Sequence, residues 1–201
     1  MNIFDAIEQR RSVKHYDPAA SMPEQDFEKL MSAMLLSPTS FNAQHWRVVR
    51  VQDKALRAKI QQAAFDQAQV SDAAELIVLC ADINAWQDRP VRYWANVDES
   101  VRNVMLPMMK GFYEGKEQLQ RDEALRSCGI AAQTLMLAAK GLGYDSNPLI
   151  GFDAEQVAEL VNLPEGHLVS MLIAVGKAQQ PARPRGGQLP LEEIVVNNTF
   201  S

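Results

Sequence analysis

The stretch 75-ELIVLCA-81 is short, rich in residues that favour strands, and apolar after its first residue. Such a run predicts a β-strand covered on both faces, because a strand with one wet face alternates polar and apolar residues. A second run, 168-LVSMLIAVG-176, predicts another buried strand. The stretch 126-RSCGIAAQTLMLAAKGLG-143 predicts a helix that ends near its last glycines. Together these segments indicate a mixed α/β chain.

The remaining segments extend this pattern in both directions. Helices are predicted at residues 2–11, 23–37, 54–69 and 154–163, a strand at 46–51, and a strand or loop at 144–152. Residues 86–122 predict irregular helices, and the proline-rich tail 177–201 ends in a candidate edge strand. That strand is too apolar to remain in water, so we expect it to pack against other protein, such as a second subunit. Helices dominate, and they do not alternate strictly with strands.

The composition is that of an ordinary globular protein. The chain has 201 residues, of which 47% are hydrophobic and 22% charged, which suits one domain. Its net charge of −5 argues against a nucleic-acid partner, because phosphate backbones attract basic surfaces. We see no apolar run of the roughly 18 residues that a membrane span needs and no signal peptide. Cys80 and Cys128 lie in apolar runs and are expected to be reduced core residues. We therefore expect a soluble, cytoplasmic protein that does not bind membranes.

The stretch 10-RRSVKHYD-17 concentrates positive charge in an acidic chain. If it runs extended, side chains alternate with period two, and Arg10, Ser12 and Lys14 share one face. Two cations around a hydroxyl would suit a phosphate, since Arg offers a planar fork of donors and Lys a mobile charge. The alternative, which this stretch alone leaves equally open, is a cationic helix end favoured by the helix dipole.

Three other segments could contact a ligand. The loop 37-SPTSFNAQHW-46 offers uncharged hydroxyl and amide groups that suit a heterocycle or a ribityl chain. Arg183 and Arg185 lie two residues apart, so they share a face if extended and could close on an anion. The turn 147-NPLIGFD-153 could present backbone N–H groups to a flat ligand. Each also has a plain alternative: a helix-to-strand loop, a solvated basic turn and a strand-to-helix turn.

In order along the chain, these segments resemble the nitroreductase family of FMN-dependent oxidoreductases. RRSVKHYDP is similar to the family's Arg-Arg-Ser-x-Arg/Lys-x-Tyr/Phe start, and SPTSFNAQHWRVV to its Ser-Pro-Ser-Ser-x-Asn-x-Gln-Pro-Trp-x-Phe loop. NPLIGFD resembles its Pro-x-x-Gly-Phe-Asp turn, and RPRGGQLPLEEIV its C-terminal end. The resemblance implies one FMN-binding domain over residues 1–201 with an α+β fold of three layers, α/β/α. A mixed, mainly antiparallel sheet would be flanked by helices, and the C-terminal tail strand would be exchanged with the partner of a homodimer.

The resemblance also implies the cofactor contacts, with FMN at the subunit interface. Arg10, Arg11 and Ser12 would meet its phosphate and ribityl end, while Lys14 would reach the N1–C2 carbonyl edge of the ring. Further implied contacts are Arg183 and Arg185 at the phosphate, Pro38, Thr39, Ser40 and Asn42 from the other subunit, Gln67 and Gln69 beside the pyrimidine edge, and Pro148, Leu149, Ile150 and Gly151 along the ring. The candidate substrate pocket is Phe41, Trp94, Phe112 and Tyr113, for which plain core or dimer packing is an equal alternative.

The implied activity is transfer of hydride from NAD(P)H, through FMN, to a nitroaromatic, a quinone or a related acceptor by a ping-pong mechanism. No catalytic side chain and no metal are expected, because the flavin carries the hydride and Lys14 tunes it. One alternative is a dehalogenase-like relative with a narrower substrate, and another is a module that stores or senses FMN without turnover. The chain departs from the family at His45, where Pro is usual, and at Phe41, which is larger than the usual Ser or Thr.

Overall fold

A computed structural model of the chain describes residues 1–200, which form an α+β fold around a four-stranded sheet. The strands are β1 (Trp46–Arg50), β2 (Glu75–Asp82), β3 (Asp145–Leu149) and β4 (His167–Gly176), in the order β1-β2-β4-β3. Every neighbouring pair is antiparallel, and a single parallel bridge between Ser12 and Ser146 extends the sheet. The strands predicted at 46–51, 75–81 and 168–176 are confirmed, and residues 144–152 contain a strand.

The helices cover the sheet on both faces. They are α1 (Ile3–Gln9), α2 (Glu24–Leu35), α3 (Lys54–Ala63), α4 (Gln69–Asp72), α5 (Glu99–Tyr113), α6 (Glu117–Gly141), α7 (Ala154–Leu160) and α8 (Leu191–Ile194), with 3₁₀ turns at Ser40–Asn42 and Pro90–Trp94. No helix within residues 1–200 is long and apolar enough to cross a membrane.

Strand β2 shows why the fold has three layers. All eight of its residues are buried, and successive side chains point to opposite faces. Ile77 and Leu79 face one core cluster with residues of α2 and α6, whereas Leu76 and Val78 face a second with residues of α3 and α7. A strand between two helical layers cannot alternate polar with apolar residues, which explains the continuous apolar run.

Helix α6 is the longest element and contacts all four strands. Its buried side is made largely of small residues, among them Ala124, Ala131 and Ala139. Small side chains let the helix axis approach the sheet closely, so one helix can cross the whole layer. The helix predicted at 126–143 is therefore confirmed and begins nine residues earlier, at Glu117.

The structure departs from expectation in three segments. The helix predicted over 54–69 ends at Ala63, because Phe65 and Asp66 both adopt left-handed backbone angles, and a separate short helix begins at Gln69. Residues 86–122 are more regular than expected, since they contain the 15-residue helix α5. The expected edge strand of the tail is wrong at Leu191–Ile194, which form one helical turn after Pro190. Proline favours a helix start, and acidic residues in a first turn complement the helix dipole.

Candidate functional site

A cavity of about 600 Å³ lies between the end of α1 and the C-terminal tail. Its walls come from residues 10–15 on one side and 180–188 on the other. Five cations line it, namely Arg10, Arg11, Lys14, Arg183 and Arg185. Within the described residues its walls contain no Asp or Glu. We call this space the basic cavity; it brings together two groups of residues that lie more than 160 positions apart in the sequence.

The N-terminal wall is extended, which is the conformation that places alternate residues on one face. Helix α1 ends at Gln9, and Arg10 already has extended backbone angles. The chain then runs beside β3: the Val13 amide donates to the Ser146 carbonyl at 3.2 Å, and Asn147 Nδ2 donates to the Val13 carbonyl at 2.8 Å. Arg10, Ser12 and Lys14 consequently line the same cavity.

Two residues of this wall depart from the alternating pattern. A period of two places Arg11 and His15 on the opposite face of an extended stretch, yet both line the basic cavity, where the family resemblance also put Arg11. The tail folds around the N-terminal stretch, so residues on both faces meet it: the Gln179 amide donates to the His15 carbonyl at 2.9 Å. Sequence reasoning also missed Gln180 and Gln188 of the lining. Their position shortly before and after the Arg183–Arg185 pair was the only available signal.

Hydrogen bonds tie the tail to the N-terminal wall. The guanidinium of Arg11 donates to the carbonyl of Arg183. In return, Arg185 Nη2 donates to the carbonyls of Glu8 and Arg10 at 2.9 and 3.3 Å. These bonds join side chains of one wall to the backbone of the other or, at Glu8, to the end of α1, so the two walls are held in register.

Arg10 is in an unfavourable environment in this cavity. Its Nη1 atom is buried and has no hydrogen-bond partner among the described residues. Burial, followed by the positive charges of Arg185 and Arg11, lowers the pKa of the Arg10 guanidinium. A buried donor without an acceptor is costly, and like charges increase that cost. An anionic ligand would supply both the missing acceptor and the opposing charge, so the donor set fits a phosphate group.

The predicted contacts at Gln67 and in the 148–151 turn meet in the structure. Gln67 Nε2 donates to the Gly151 carbonyl at 2.8 Å, and Gln69 Nε2 donates to Gln67 Oε1 at 2.9 Å. The roles of two residues need correction: the side chains of Gln69 and Leu149 are buried inside the protein. Gln69 therefore orients Gln67 and does not face a ligand through its own side chain. Leu149 is the last residue of β3 and its side chain packs in the core, so at this turn the exposed residues are Ile150 and Gly151.

The 37–45 loop lies apart from the basic cavity. Pro38, Thr39, Ser40 and Asn42 are absent from the cavity walls that residues 1–200 form. Thr39 Oγ1 instead lies 2.8 Å from Ser127 Oγ on α6, and Asn42 Nδ2 donates to the Tyr93 carbonyl at 2.7 Å. Phe41, Asn42 and Gln44 have left-handed backbone angles, which cost energy in residues other than glycine. A contribution of this loop to another subunit's site stays a prediction.

The four aromatic residues predicted around a substrate pocket form one cluster. The rings of Phe41 and Phe112 have centroids 5.4 Å apart, and those of Phe112 and Tyr113 are 5.0 Å apart. Trp94 packs against the same cluster. Tyr113 is completely buried and stacks on Trp86, so it is a core residue and not a pocket wall. Phe112 is exposed, and Phe41 and Trp94 are partly exposed.

His45 lies next to this aromatic cluster, with its ring centroid 6.1 Å from that of Tyr113. It is completely buried, its Nδ1 atom lies 2.9 Å from the Asp82 carbonyl, and its Nε2 atom has no partner among the described residues. Burial lowers the pKa of His45, so the imidazole is neutral near pH 7. The neutral ring donates through Nδ1 and anchors the end of the 37–45 loop to β2.

The sequence model described as "Nitroreductase family" matches residues 7–177. The chain belongs to the nitroreductase family. DrgA of Synechocystis sp. is 47% identical over 200 residues, which cover 97% of this chain and 95% of DrgA. NADH dehydrogenase of Thermus thermophilus is 31% identical over 202 residues, covering 93% of this chain and 91% of that enzyme. This nitroreductase-family chain is therefore an oxidoreductase, and the resemblance seen in its sequence is confirmed.

Solved structures agree with the fold. A protein of Exiguobacterium sibiricum, solved in complex with FMN, has a TM-score of 0.89 at 26% identity, and the match covers 98% of both chains. The α+β fold of the nitroreductase family is thus shared over nearly the full length. The family match ends at residue 177, just before the tail that forms the second wall of the basic cavity.

Proposed function

We propose that the chain is an FMN-dependent oxidoreductase that takes hydride from NAD(P)H and reduces nitroaromatic, quinone or related acceptors by a ping-pong mechanism. The observation that carries this proposal is the basic cavity, which five cations line and where the Nη1 atom of one of them, Arg10, is buried without an acceptor. A phosphate monoester carries about −1.5 to −2 charges at neutral pH and three strong acceptor oxygens. The FMN bound by the Exiguobacterium sibiricum protein, with which this chain shares its fold, ends in such a group.

The residues of the chain would bind and orient the cofactor, and FMN would supply the hydride-transfer chemistry. Arg10 and Ser12, with Arg183 and Arg185 opposite, would hold the phosphate. Lys14 lines the same cavity and would place a positive charge at the ring edge where negative charge accumulates on reduction. Gln67, already hydrogen-bonded to the Gly151 carbonyl, would hold the 148–151 turn against the ring.

We also propose that residues 1–201 act as one domain within a homodimer that binds FMN at the subunit interface. Two observations support a second subunit. The 37–45 loop lies outside the basic cavity of its own chain, although the family resemblance assigns it to a flavin site. Large apolar side chains are also exposed on α1 and in the tail, where a contiguous patch would favour association. The free, buried thiols of Cys80 and Cys128 suit the cytoplasm.

The test begins with the colour of the purified protein. We expect a yellow protein that is bleached by NADH or NADPH without oxygen and regains its colour when a quinone is added. A colourless protein that fails to bind added FMN would overturn the proposal. A yellow protein that neither nicotinamide bleaches would instead support the storage module. As a matched pair, Arg10→Gln should weaken FMN binding about tenfold or more, from the usual value of a charge-assisted hydrogen bond. Lys59→Gln, the same charge change at an exposed position of α3, should not.

A further inference from the structure

The tail segment 178–188 is held over the basic cavity by a small set of contacts. Residues 183–200 are exposed, and residues 178–188 contribute no helix or strand of their own. An isolated bridge joins Ala178 to Tyr16, and the Gln179 amide donates to the His15 carbonyl. Beyond these backbone contacts and the packing of Ala182 against the core, the segment is fastened by the guanidinium groups of Arg11 and Arg185. We call residues 178–188 the strap.

These fastenings bring like charges together. To donate to the Arg10 carbonyl, the guanidinium of Arg185 must lie beside Arg10. To donate to the Arg183 carbonyl, the guanidinium of Arg11 must likewise lie beside Arg183. No carboxylate among residues 1–200 lines the cavity to offset this charge. Repulsion between the guanidinium groups therefore opposes docking, while the bonds to carbonyls favour it. Because these two contributions oppose each other, the free energy of strap docking stays close to zero until an anion enters the cavity.

We propose that the strap is an anion-dependent closure, which docks when a phosphate group enters the basic cavity and in turn retains that phosphate. The idea rests on the proposed function, because FMN is the phosphate-bearing ligand. Coupling between two events is reciprocal, so the factor by which phosphate favours docking equals the factor by which docking tightens phosphate binding. The lowered pKa of Arg10 agrees with a cavity that carries excess positive charge.

Docking of the strap would also fix the position of the C-terminal segment that follows it. Residues 189–200 expose Leu191, Ile194, Val195 and Phe200, and they follow directly from the strap. An undocked strap would leave this apolar segment unanchored, whereas a docked strap fixes the point from which it leaves the subunit. A phosphate in the cavity would thus also control whether the apolar tail is presented to a partner in one position.

Trypsin can test the closure on the full chain, since it cleaves after Arg185 when the strap is undocked and the bond is accessible. The probes are FMN and riboflavin, which differ only in the phosphate group. We expect saturating FMN to slow cleavage after Arg185 about tenfold, within the usual range of coupling between sites. Riboflavin should leave the rate within about twofold of the ligand-free chain. Equal protection by both ligands would overturn the closure, because the phosphate would then not be its cause.

The variant Arg11→Gln separates strap docking from direct shielding by the ligand. It removes the guanidinium that holds the Arg183 carbonyl. At saturating FMN, we expect it to lose the protection and to bind FMN more weakly by a similar factor, with riboflavin affinity unchanged. Lys59→Gln is the control and should behave as the unmodified chain. Full protection in Arg11→Gln would mean that FMN itself shields the bond, and the closure would be wrong.

The outcomes also separate this closure from the proposed function. Tight FMN binding with unchanged cleavage after Arg185 would overturn the closure and leave the flavoenzyme intact. A chain that does not bind FMN would overturn the proposed function, and inorganic phosphate at millimolar concentration then serves as the probe. Slower cleavage with phosphate, reversed by Arg11→Gln, would support the closure. Cleavage that does not respond to phosphate would overturn it.

Discussion

Arg10 shows how a single residue can be costly to folding and useful to binding. Its buried Nη1 atom has no acceptor within residues 1–200, and the neighbouring guanidinium groups of Arg11 and Arg185 disfavour its charge. Folding alone would not select this arrangement, because unsatisfied buried donors and clustered like charges both destabilise a structure. Binding of an anion reverses both penalties. A ligand site is therefore the simplest physical reason for the arrangement.

His45 predicts a pH dependence of stability. Its pKa is lowered on folding, so the unfolded chain binds the proton more readily, and the free energy of unfolding falls as the pH drops below about 6.5. The loss continues until the pH reaches the folded pKa, with a slope of at most about 1.4 kcal/mol per pH unit. His45→Asn keeps a donor for the Asp82 carbonyl and cannot be protonated. Urea unfolding at pH 7.5, 6.5 and 5.5 should show a smaller loss in this variant; parallel curves for both proteins would contradict the assignment.

At the level of single residues, the sequence predicts which side chains share a face better than it predicts which side chains are exposed. The period of two in an extended chain was enough to group Arg10, Ser12 and Lys14. It could not predict that Arg11 also lines the cavity, because the tail that surrounds the stretch is distant in sequence. The burial of Leu149 likewise depends on the pairing of β3 with β4, which local sequence does not determine.

At the scale of elements, apolar period and length were sufficient for the strands and for the long helices. The break after Ala63 was missed because it depends on left-handed backbone angles at Phe65 and Asp66, neither of which is a glycine. The consequence reaches the candidate site. Gln67 lies in the turn between α3 and α4, where its side chain is free to meet the Gly151 carbonyl.

Two glycines allow a matched test of packing between elements. At Gly176, the last residue of β4, an added Cβ would lie 2.9 Å from the backbone nitrogen of Ala74 and 3.0 Å from Tyr16 Cδ1. Gly176→Ala should therefore lower the free energy of unfolding by about 1–3 kcal/mol, as overpacking does. At Gly111, inside α5, an added Cβ meets nothing within 4 Å. Gly111→Ala should raise the free energy of unfolding by roughly 0.5–1 kcal/mol, because alanine has the higher helix propensity. Denaturant unfolding measures both, and equal signs would contradict the packing described for β4.

At the scale of the whole molecule, the three layers followed from one strand covered on both faces and from the family resemblance. The assembly could not be predicted from the residues alone, because an exposed apolar side chain does not identify its partner. The structure narrows the choice by showing where such side chains gather. Helix α1 buries Ala6 against the protein and exposes Ile3, Phe4 and Ile7, which is the reverse of a surface helix whose outer face is polar.

Phe4, which is 78% exposed, gives the sharpest test of the proposed homodimer. Sedimentation of the unmodified chain at micromolar concentration should give twice the subunit mass of 22.4 kDa. Phe4→Asp places a charge in the apolar face of α1, and a buried unpaired charge strongly disfavours association. This variant should shift toward the subunit mass and lose FMN affinity in parallel, because a site shared between subunits requires both. Gln52→Asp adds the same charge at an exposed polar position and should remain dimeric. A monomeric Phe4→Asp variant with full FMN affinity would mean that each subunit binds FMN alone, and the shared site would be wrong.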